Sequence, residues 1–106
     1  MDVVTRLEEI ILIAIWKLGE LAYGVSINKE VSNLMQKEYT MGSLYFSLDQ
    51  LHRKGLVDKL TGEPTPERGG RKKIYYTLTE EGERALKAVK ELHDNAWAGL
   101  KGYATK

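Results

Sequence analysis

The 106-residue sequence contains no cysteine. Disulfides, thiol nucleophiles and cysteine-ligated zinc are therefore excluded. Its longest apolar run, residues 10–16, is too short for a membrane span, which takes about 20 residues. The run also lacks the basic flank and the small-residue cleavage site of a signal peptide. We therefore expect an intracellular, cytoplasmic protein without a membrane segment.

The sequence also lacks a large excess of charge. It has 16 basic and 15 acidic residues, which gives a net charge of +1. Taken alone, this value argues against a strongly basic nucleic-acid binder. The positive charge is local, however, because residues 36–76 carry eight basic and five acidic side chains. The middle of the chain therefore remains a candidate for contact with nucleic acid.

Motifs of catalysis are missing as well. The two histidines, His52 and His93, lie far apart in the sequence. We find no serine–histidine–aspartate arrangement, no phosphate-binding glycine loop and no zinc-protease motif. The sequence predicts no enzyme, no cofactor and no metal site.

Hydrophobic periodicity predicts a single, mainly α domain with a small β-hairpin. The predicted helices cover about residues 3–18, 25–37, 41–54 and 80–103, and the predicted strands cover 56–61 and 73–78. Thr40 and Thr79 are suited to cap the third and fourth helices. Both prolines and three glycines lie in 62–71, which predicts a long hairpin loop rather than a tight turn.

The first and last helices carry more apolar surface than one small domain can bury. A second copy of the chain would cover it most simply. The predicted dimer interface comprises Val4, Leu7 and Ile11 of the first helix and Leu86, Val89, Leu92, Ala96, Trp97 and Leu100 of the last.

The order of the elements is that of a winged helix-turn-helix. A short connection precedes the third helix, and a hairpin with a basic loop follows it, so this helix is expected in the major groove of DNA. Glutamine can read adenine there, and the loop cations can contact phosphate. The predicted DNA-binding residues are Thr40, Ser43, Phe46, Ser47, Gln50, Arg53 and Lys54 of the helix region and Arg68, Arg71, Lys72 and Lys73 of the wing.

Three motifs resemble the PadR family. The stretch Gly42–Val57, GSLYFSLDQLHRKGLV, resembles G-T-L-Y-x-x-L-x-R-L-x-x-x-G-L-I; Gly70–Gly82, GRKKIYYTLTEEG, resembles R-R-K-Y-Y-x-L-T-x-x-G; and Tyr23-Gly24 with Ile27 resembles Y-G-x-x-I. The resemblance implies a dimeric winged-helix regulator, in most members a repressor, that recognises a pseudo-palindromic operator. It also implies that residues 1–78 form the DNA-binding part and residues 79–106 a single dimerisation helix. Tyr45 keeps its family position, which implies that it braces the recognition helix or contacts phosphate.

The sequence departs from the family pattern on the predicted DNA face. Gln50 stands where the family usually has arginine, His52 where it has glutamate, and Phe46 where proline is frequent. The change to Gln50 removes a positive charge from this face. An alternative therefore remains open, in which the winged-helix dimer binds other proteins and has no specific DNA affinity.

The resemblance also implies a site for a small, often aromatic effector at the dimer interface. Trp16, His93 and Trp97 are the candidate residues. Two aromatic rings could enclose a flat hydrophobic compound by offset stacking. The alternative is that both tryptophans are anchors of the dimer core, as large aromatic residues usually are.

Overall fold

The fold comes from a computed structural model that describes residues 4–62, 73–100 and 102. Its elements are α1 (Arg6–Leu18), a 3-10 turn (Gly19–Leu21), α2 (Gly24–Met35), α3 (Met41–Arg53), β1 (Val57–Thr61), β2 (Ile74–Leu78) and α4 (Glu80–Ala98). The predicted order of four helices and a two-stranded hairpin is confirmed. The predicted wing residues Arg68, Arg71 and Lys72 lie outside the described residues.

Helix α1 begins at a reciprocal cap rather than at residue 3. The Thr5 hydroxyl accepts a hydrogen bond from the Glu8 backbone N–H at 3.1 Å, and the Glu8 carboxylate accepts one from the Thr5 N–H at 2.9 Å. This arrangement satisfies two backbone donors that the first turn leaves without partners. The helix ends at Leu18, and its capping residue Gly19 has a φ of 57°, which lies in the region that favours glycine.

Helix α1 lies in the middle of the hydrophobic core. Ile11, Leu12, Ala14 and Ile15 are all buried, and the helix contacts α2, α3, β2 and α4. The placement of Ile11 in a dimer interface is therefore wrong, because its side chain is fully enclosed within its own subunit. The remaining core residues are Ala22, Ile27, Val31, Leu44, Leu48, Leu51, Leu56, Val57 and Tyr76.

The connection between α2 and α3 is a short turn with two fixed points. Helix α2 ends at Met35, and Gln36 takes a left-handed conformation with φ of 55°. The Asn28 side-chain amide donates a hydrogen bond to the Tyr39 carbonyl at 2.8 Å. Thr40 then caps α3 as predicted, since its hydroxyl accepts from the Ser43 N–H at 3.1 Å.

Strands β1 and β2 pair antiparallel, with Val57 opposite Leu78 and Thr61 opposite Ile74. The other edge of β2 is also used. The Tyr76 N–H donates to the Ala22 carbonyl at 2.8 Å, and Tyr23 forms a β-bridge with Tyr75. This third segment, which the periodicity of the sequence did not reveal, attaches the hairpin to the connection between α1 and α2.

Helix α4 is fastened at its start. The Thr79 hydroxyl accepts from the Gly82 N–H at 3.0 Å and donates to the Gly55 carbonyl at 2.6 Å. A side chain at Gly82 would overlap the Leu56 carbonyl, so glycine allows α4 to approach the segment between α3 and β1. Helix α4 ends at Ala98, earlier than predicted. Among the described residues, no helix is long and apolar enough to cross a membrane.

Candidate nucleic-acid interface

Helix α3 has one face in the core and another in solvent. Leu44, Leu48 and Leu51 are buried. Roughly half a turn away, a second stripe faces outward. This outer face of α3 carries Gly42, Phe46, Asp49, Gln50 and Arg53, all exposed except Gln50, which is half-buried.

Most predicted recognition residues lie on or beside this outer face. Exposed Ser43 and half-buried Ser47 flank it. The Thr40 hydroxyl instead caps the helix. Gly42 was not among the predicted residues, although its spacing of four residues before Phe46 indicates that both lie on one face. The structure thus brings an amide, a guanidinium, a phenyl ring, two hydroxyls and a carboxylate onto one surface of α3.

Tyr45 braces α3 against the start of α2. Its hydroxyl lies so close to Gly24 that a Cβ at that position would overlap it. The ring nevertheless keeps 42% of its surface exposed. Tyr45 can therefore both hold α3 in place and reach a group outside the protein.

The hairpin also contacts α3, through an ion pair between β1 and α3. The Lys59 ammonium on β1 lies 3.1 Å from the Asp49 carboxylate on α3. Behind them, burial raises the pKa of the Tyr76 phenol to about 12, and the negative charge of Asp49 and the neighbouring Tyr45 act in the same direction. Tyr76 is therefore a neutral core residue at physiological pH.

Lys54 does not belong to the outer face. Its ammonium lies 2.8 and 3.0 Å from the two carboxylate oxygens of Glu8, a residue only 5% exposed. A buried carboxylate requires a partner, because an unpaired charge is costly to bury. Lys54 thus forms an ion pair between α3 and α1, which the sequence separation of 46 residues concealed, and its DNA contact stays a prediction.

Lys73 is the predicted wing cation that falls within the described residues. Its ammonium lies 4.1 Å from the centre of the Tyr23 ring. Tyr23 in turn meets Tyr75 edge to face, with ring centres 5.7 Å apart. Lys73 thus lies at the loop end of the hairpin, beside Tyr23 at the start of α2.

A cavity of about 550 Å³ separates α1 from α4. Its apolar wall includes Ile13, Trp16 and Leu86, and charged side chains from both helices line it as well. His93 belongs to this lining and lies 3.3 Å from the Glu9 carboxylate. Two of the three predicted effector residues, Trp16 and His93, are therefore together, whereas Trp97 lies outside the lining. Among the described residues, no cluster of acidic and histidine side chains could hold a metal ion.

The predicted dimer residues divide into two groups. Val4, Leu7, Leu86 and Val89 are half-buried within the subunit. The second group, at the end of α4, is exposed and comprises Leu92, Ala96, Trp97 and Leu100. Apolar surface on this helix thus remains uncovered by the described part of its own subunit.

The chain is similar to known regulators over most of its length. The family model described as "Transcriptional regulator PadR-like family" matches residues 11–88. No curated protein matches the chain significantly.

Several solved structures share the fold. A structure of the hsRosR-S1 complex is 34% identical, covers 84% of this chain and 71% of its own, and has a TM-score of 0.64. A transcriptional regulator from Clostridium thermocellum is 23% identical, with 92% and 88% covered and a TM-score of 0.70. A PadR family regulator from Clostridium difficile is 24% identical, with 91% and 97% covered and a TM-score of 0.66.

These matches agree with the winged-helix arrangement of α2, α3 and the hairpin. They cover the core, the outer face of α3 and the first half of α4. The chain therefore belongs to the PadR-like family of transcriptional regulators and, by homology, binds DNA.

Proposed function

We propose that the protein is a homodimeric, sequence-specific repressor that places the outer face of α3 in the major groove. The observation that carries this proposal is the position of that face. It lies opposite the core, directly after the helix-turn-helix turn, and it presents Gln50 and Arg53 to a partner. These are side chains that hydrogen-bond to bases and phosphates. Lys73, with Arg68, Arg71 and Lys72, would contact the phosphate backbone beside the groove.

Helix α4 supports the proposed dimer. Leu92 is 66% exposed, Trp97 60% and Leu100 48%, and burial of such side chains in a partner surface is favourable. In this arrangement residues 1–78 bind DNA and residues 79–106 hold two copies together. Two-fold symmetry then requires a pseudo-palindromic operator whose half-sites lie about one helical turn, or a multiple of it, apart.

The cavity between α1 and α4 supports release by a small hydrophobic effector. Its walls offer Trp16 for stacking and apolar surface from both helices. Helix α1 is joined to α3 by the Glu8–Lys54 ion pair and to α4 by the Glu9–His93 contact. A ligand that binds better to one arrangement of these helices would shift the population of DNA-binding dimers.

Salt-dependent gel shifts on DNA upstream of the gene test the DNA-binding role. Affinity should fall steeply between about 50 and 200 mM salt, because neutralised phosphates release counterions. Arg53→Ala should reduce the slope by about one unit if Arg53 contacts phosphate. Arg84→Ala is the matched control, since Arg84 is exposed on α4 and pairs with Glu81. Absence of a shift would favour the protein-binding alternative, whereas an unchanged slope in Arg53→Ala would contradict only the phosphate contact of Arg53.

Tryptophan fluorescence tests the effector site. Planar aromatic compounds should alter the emission of the wild-type protein and of Trp97→Phe, because Trp16 lines the cavity. In Trp16→Phe the response should be lost. An unchanged emission in an intact dimer would contradict the effector proposal while leaving the DNA-binding role in place.

A further inference from the structure

Gly42 is a helical glycine that its own subunit does not require. It occupies the first turn of α3. Glycine is a poorer helix former than alanine. At Gly24 and Gly82 a side chain would overlap neighbouring atoms, but a Cβ at Gly42 would meet nothing within 4 Å. Gly42 also does not have a positive φ. The described fold therefore gives no steric or conformational reason for this glycine.

Phe46, one turn further along α3, is equally unexplained by the fold. It is 67% exposed, the most exposed of the large hydrophobic residues in the described chain. It lies half a turn from the buried Leu44 and Leu48, so its ring is directed away from the core. A single exposed apolar residue is ordinary on a protein surface. Here, however, it stands in the middle of the outer face, between Gly42 and Gln50.

The two features have one explanation if the occupant of this face is DNA. The major groove carries one apolar group, the 5-methyl group of thymine, and phenylalanine is among the side chains that contact it. The missing side chain at Gly42 would let the first turn of α3 come close to the nucleic acid. Gln50 stands one turn beyond Phe46, and no described residue hydrogen-bonds to its side chain. Its amide therefore remains available to adenine.

We propose that Phe46 selects thymine in each half-site by contacting its 5-methyl group, and that Gly42 permits the close approach which this contact needs. The inference rests on the proposed DNA-binding function. One turn of α3 separates Phe46 from Gln50 by about 6 Å, and base pairs are about 3.4 Å apart. The selected thymine should therefore lie within about two base pairs of an adenine that Gln50 reads.

The test begins with selection of bound duplexes from a randomised pool by the full-length protein. Each thymine of the selected duplex is then replaced singly by deoxyuridine, which removes only the 5-methyl group. At one position in each half-site, the substitution should weaken wild-type binding about four-fold, the effect of one buried methyl group. If nothing is enriched, the DNA-binding function itself fails. If a duplex is enriched but no deoxyuridine substitution matters, only the thymine contact fails.

Phe46→Ala completes a double-mutant cycle with that substitution. The variant should bind the thymine duplex about four-fold more weakly per half-site and should be indifferent to deoxyuridine at the same position. Leu21→Ala is the control, because Leu21 is 65% exposed and lies in the 3-10 turn outside the outer face. Equal sensitivity to deoxyuridine in Phe46→Ala and wild type would overturn the assignment.

Gly42→Ala distinguishes a role of Gly42 in DNA binding from a role in folding, because Tm and DNA affinity should change in different directions. Its Tm should stay unchanged or rise, since alanine is the better helix former, whereas DNA affinity should fall about five-fold or more. Undiminished affinity in Gly42→Ala would contradict the close approach. A change of association state in Gly42→Ala or Phe46→Ala, measured by sedimentation without DNA, would assign this face to protein contact instead.

Discussion

Helices α1 and α4 both carry apolar side chains at helical spacing in the sequence, but they have opposite places in the subunit. Helix α1 buries Ile11, Leu12, Ala14 and Ile15. In α4 the buried residue is Gly82, and Leu92 and Trp97 are largely exposed. The difference arises because α1 is surrounded by α2, α3, β2 and α4, whereas α4 packs on one side against α1 and β2. An apolar helix surface therefore shows that burial is needed, but not which chain provides it.

The largest effect on the stability of the subunit is expected in the middle of α1. Ile11→Ala should lower the free energy of unfolding by about 2–5 kcal/mol, because it leaves a cavity in a closed core. Ile11→Val should cost about 0.5–1.5 kcal/mol. Urea denaturation at one protein concentration measures both. A loss below about 1 kcal/mol in Ile11→Ala would contradict the burial of α1 in a closed core.

The next largest effect on stability is expected at the ion pair that joins α1 to α3. Lys54→Met should lower the free energy of unfolding by about 2–3 kcal/mol, since it leaves the buried Glu8 carboxylate without its cation. Lys59→Met is the matched control, because its partner Asp49 is half exposed and such pairs contribute about 0–1 kcal/mol. Similar losses in the two variants, measured by urea denaturation, would rule out a special role for the pair between α1 and α3.

The core beneath α3 should also respond to high pH. The pKa of Tyr76 is about 12 in the folded protein, against 10 in the ordinary phenol, so the folded state holds the proton more tightly. Its contribution is complete below pH 10 and is lost as the pH rises towards 12. Wild type should therefore lose on the order of 1–2 kcal/mol more than Tyr76→Phe over this interval. Parallel losses in urea denaturation across the interval would contradict the assignment.

The smallest effect on the subunit fold is expected at the exposed end of α4. Leu92→Glu should change the stability of the isolated subunit by less than about 0.5 kcal/mol, because the side chain is already in solvent. Association should nevertheless be lost, since the proposed dimer would bury the new charge. Sedimentation velocity measures association and circular dichroism measures folding. Asn95→Glu, on the same exposed helix, should associate like wild type, and an associated Leu92→Glu would place the dimer elsewhere.

Local signals predicted the elements and several of their ends. Thr40 and Thr79 cap α3 and α4 as expected, because a threonine hydroxyl can accept from the backbone of the first turn whatever lies around it. The left-handed residue Gln36 and the β-bridge of Tyr23 to Tyr75 were not predicted. Neither has a glycine or a periodic pattern to mark it, and the bridge joins segments distant in the sequence.

The sequence predicted that α3 carries the candidate site, but it predicted less well which side chains of α3 are available there. Phe46, Gln50 and Arg53 were predicted DNA-binding residues, and the structure places all three on one face of α3, where Gln50 is half-buried. Lys54 follows Arg53 directly, yet its ammonium contacts Glu8. Sequence spacing gives the face of a helix, but it does not reveal which distant carboxylate competes for a cation.

The sequence by itself determined the helices, the hairpin and the family, because capping residues, periodicity and motifs act over short distances along the chain. Only the tertiary structure decided which apolar residues are buried and which charged residues are paired within the subunit. It enclosed Ile11, paired Lys54 with Glu8 and left Phe46 and Leu92 in solvent. The physical reason is that burial and ion pairing depend on neighbours from distant segments, and local sequence does not specify these neighbours.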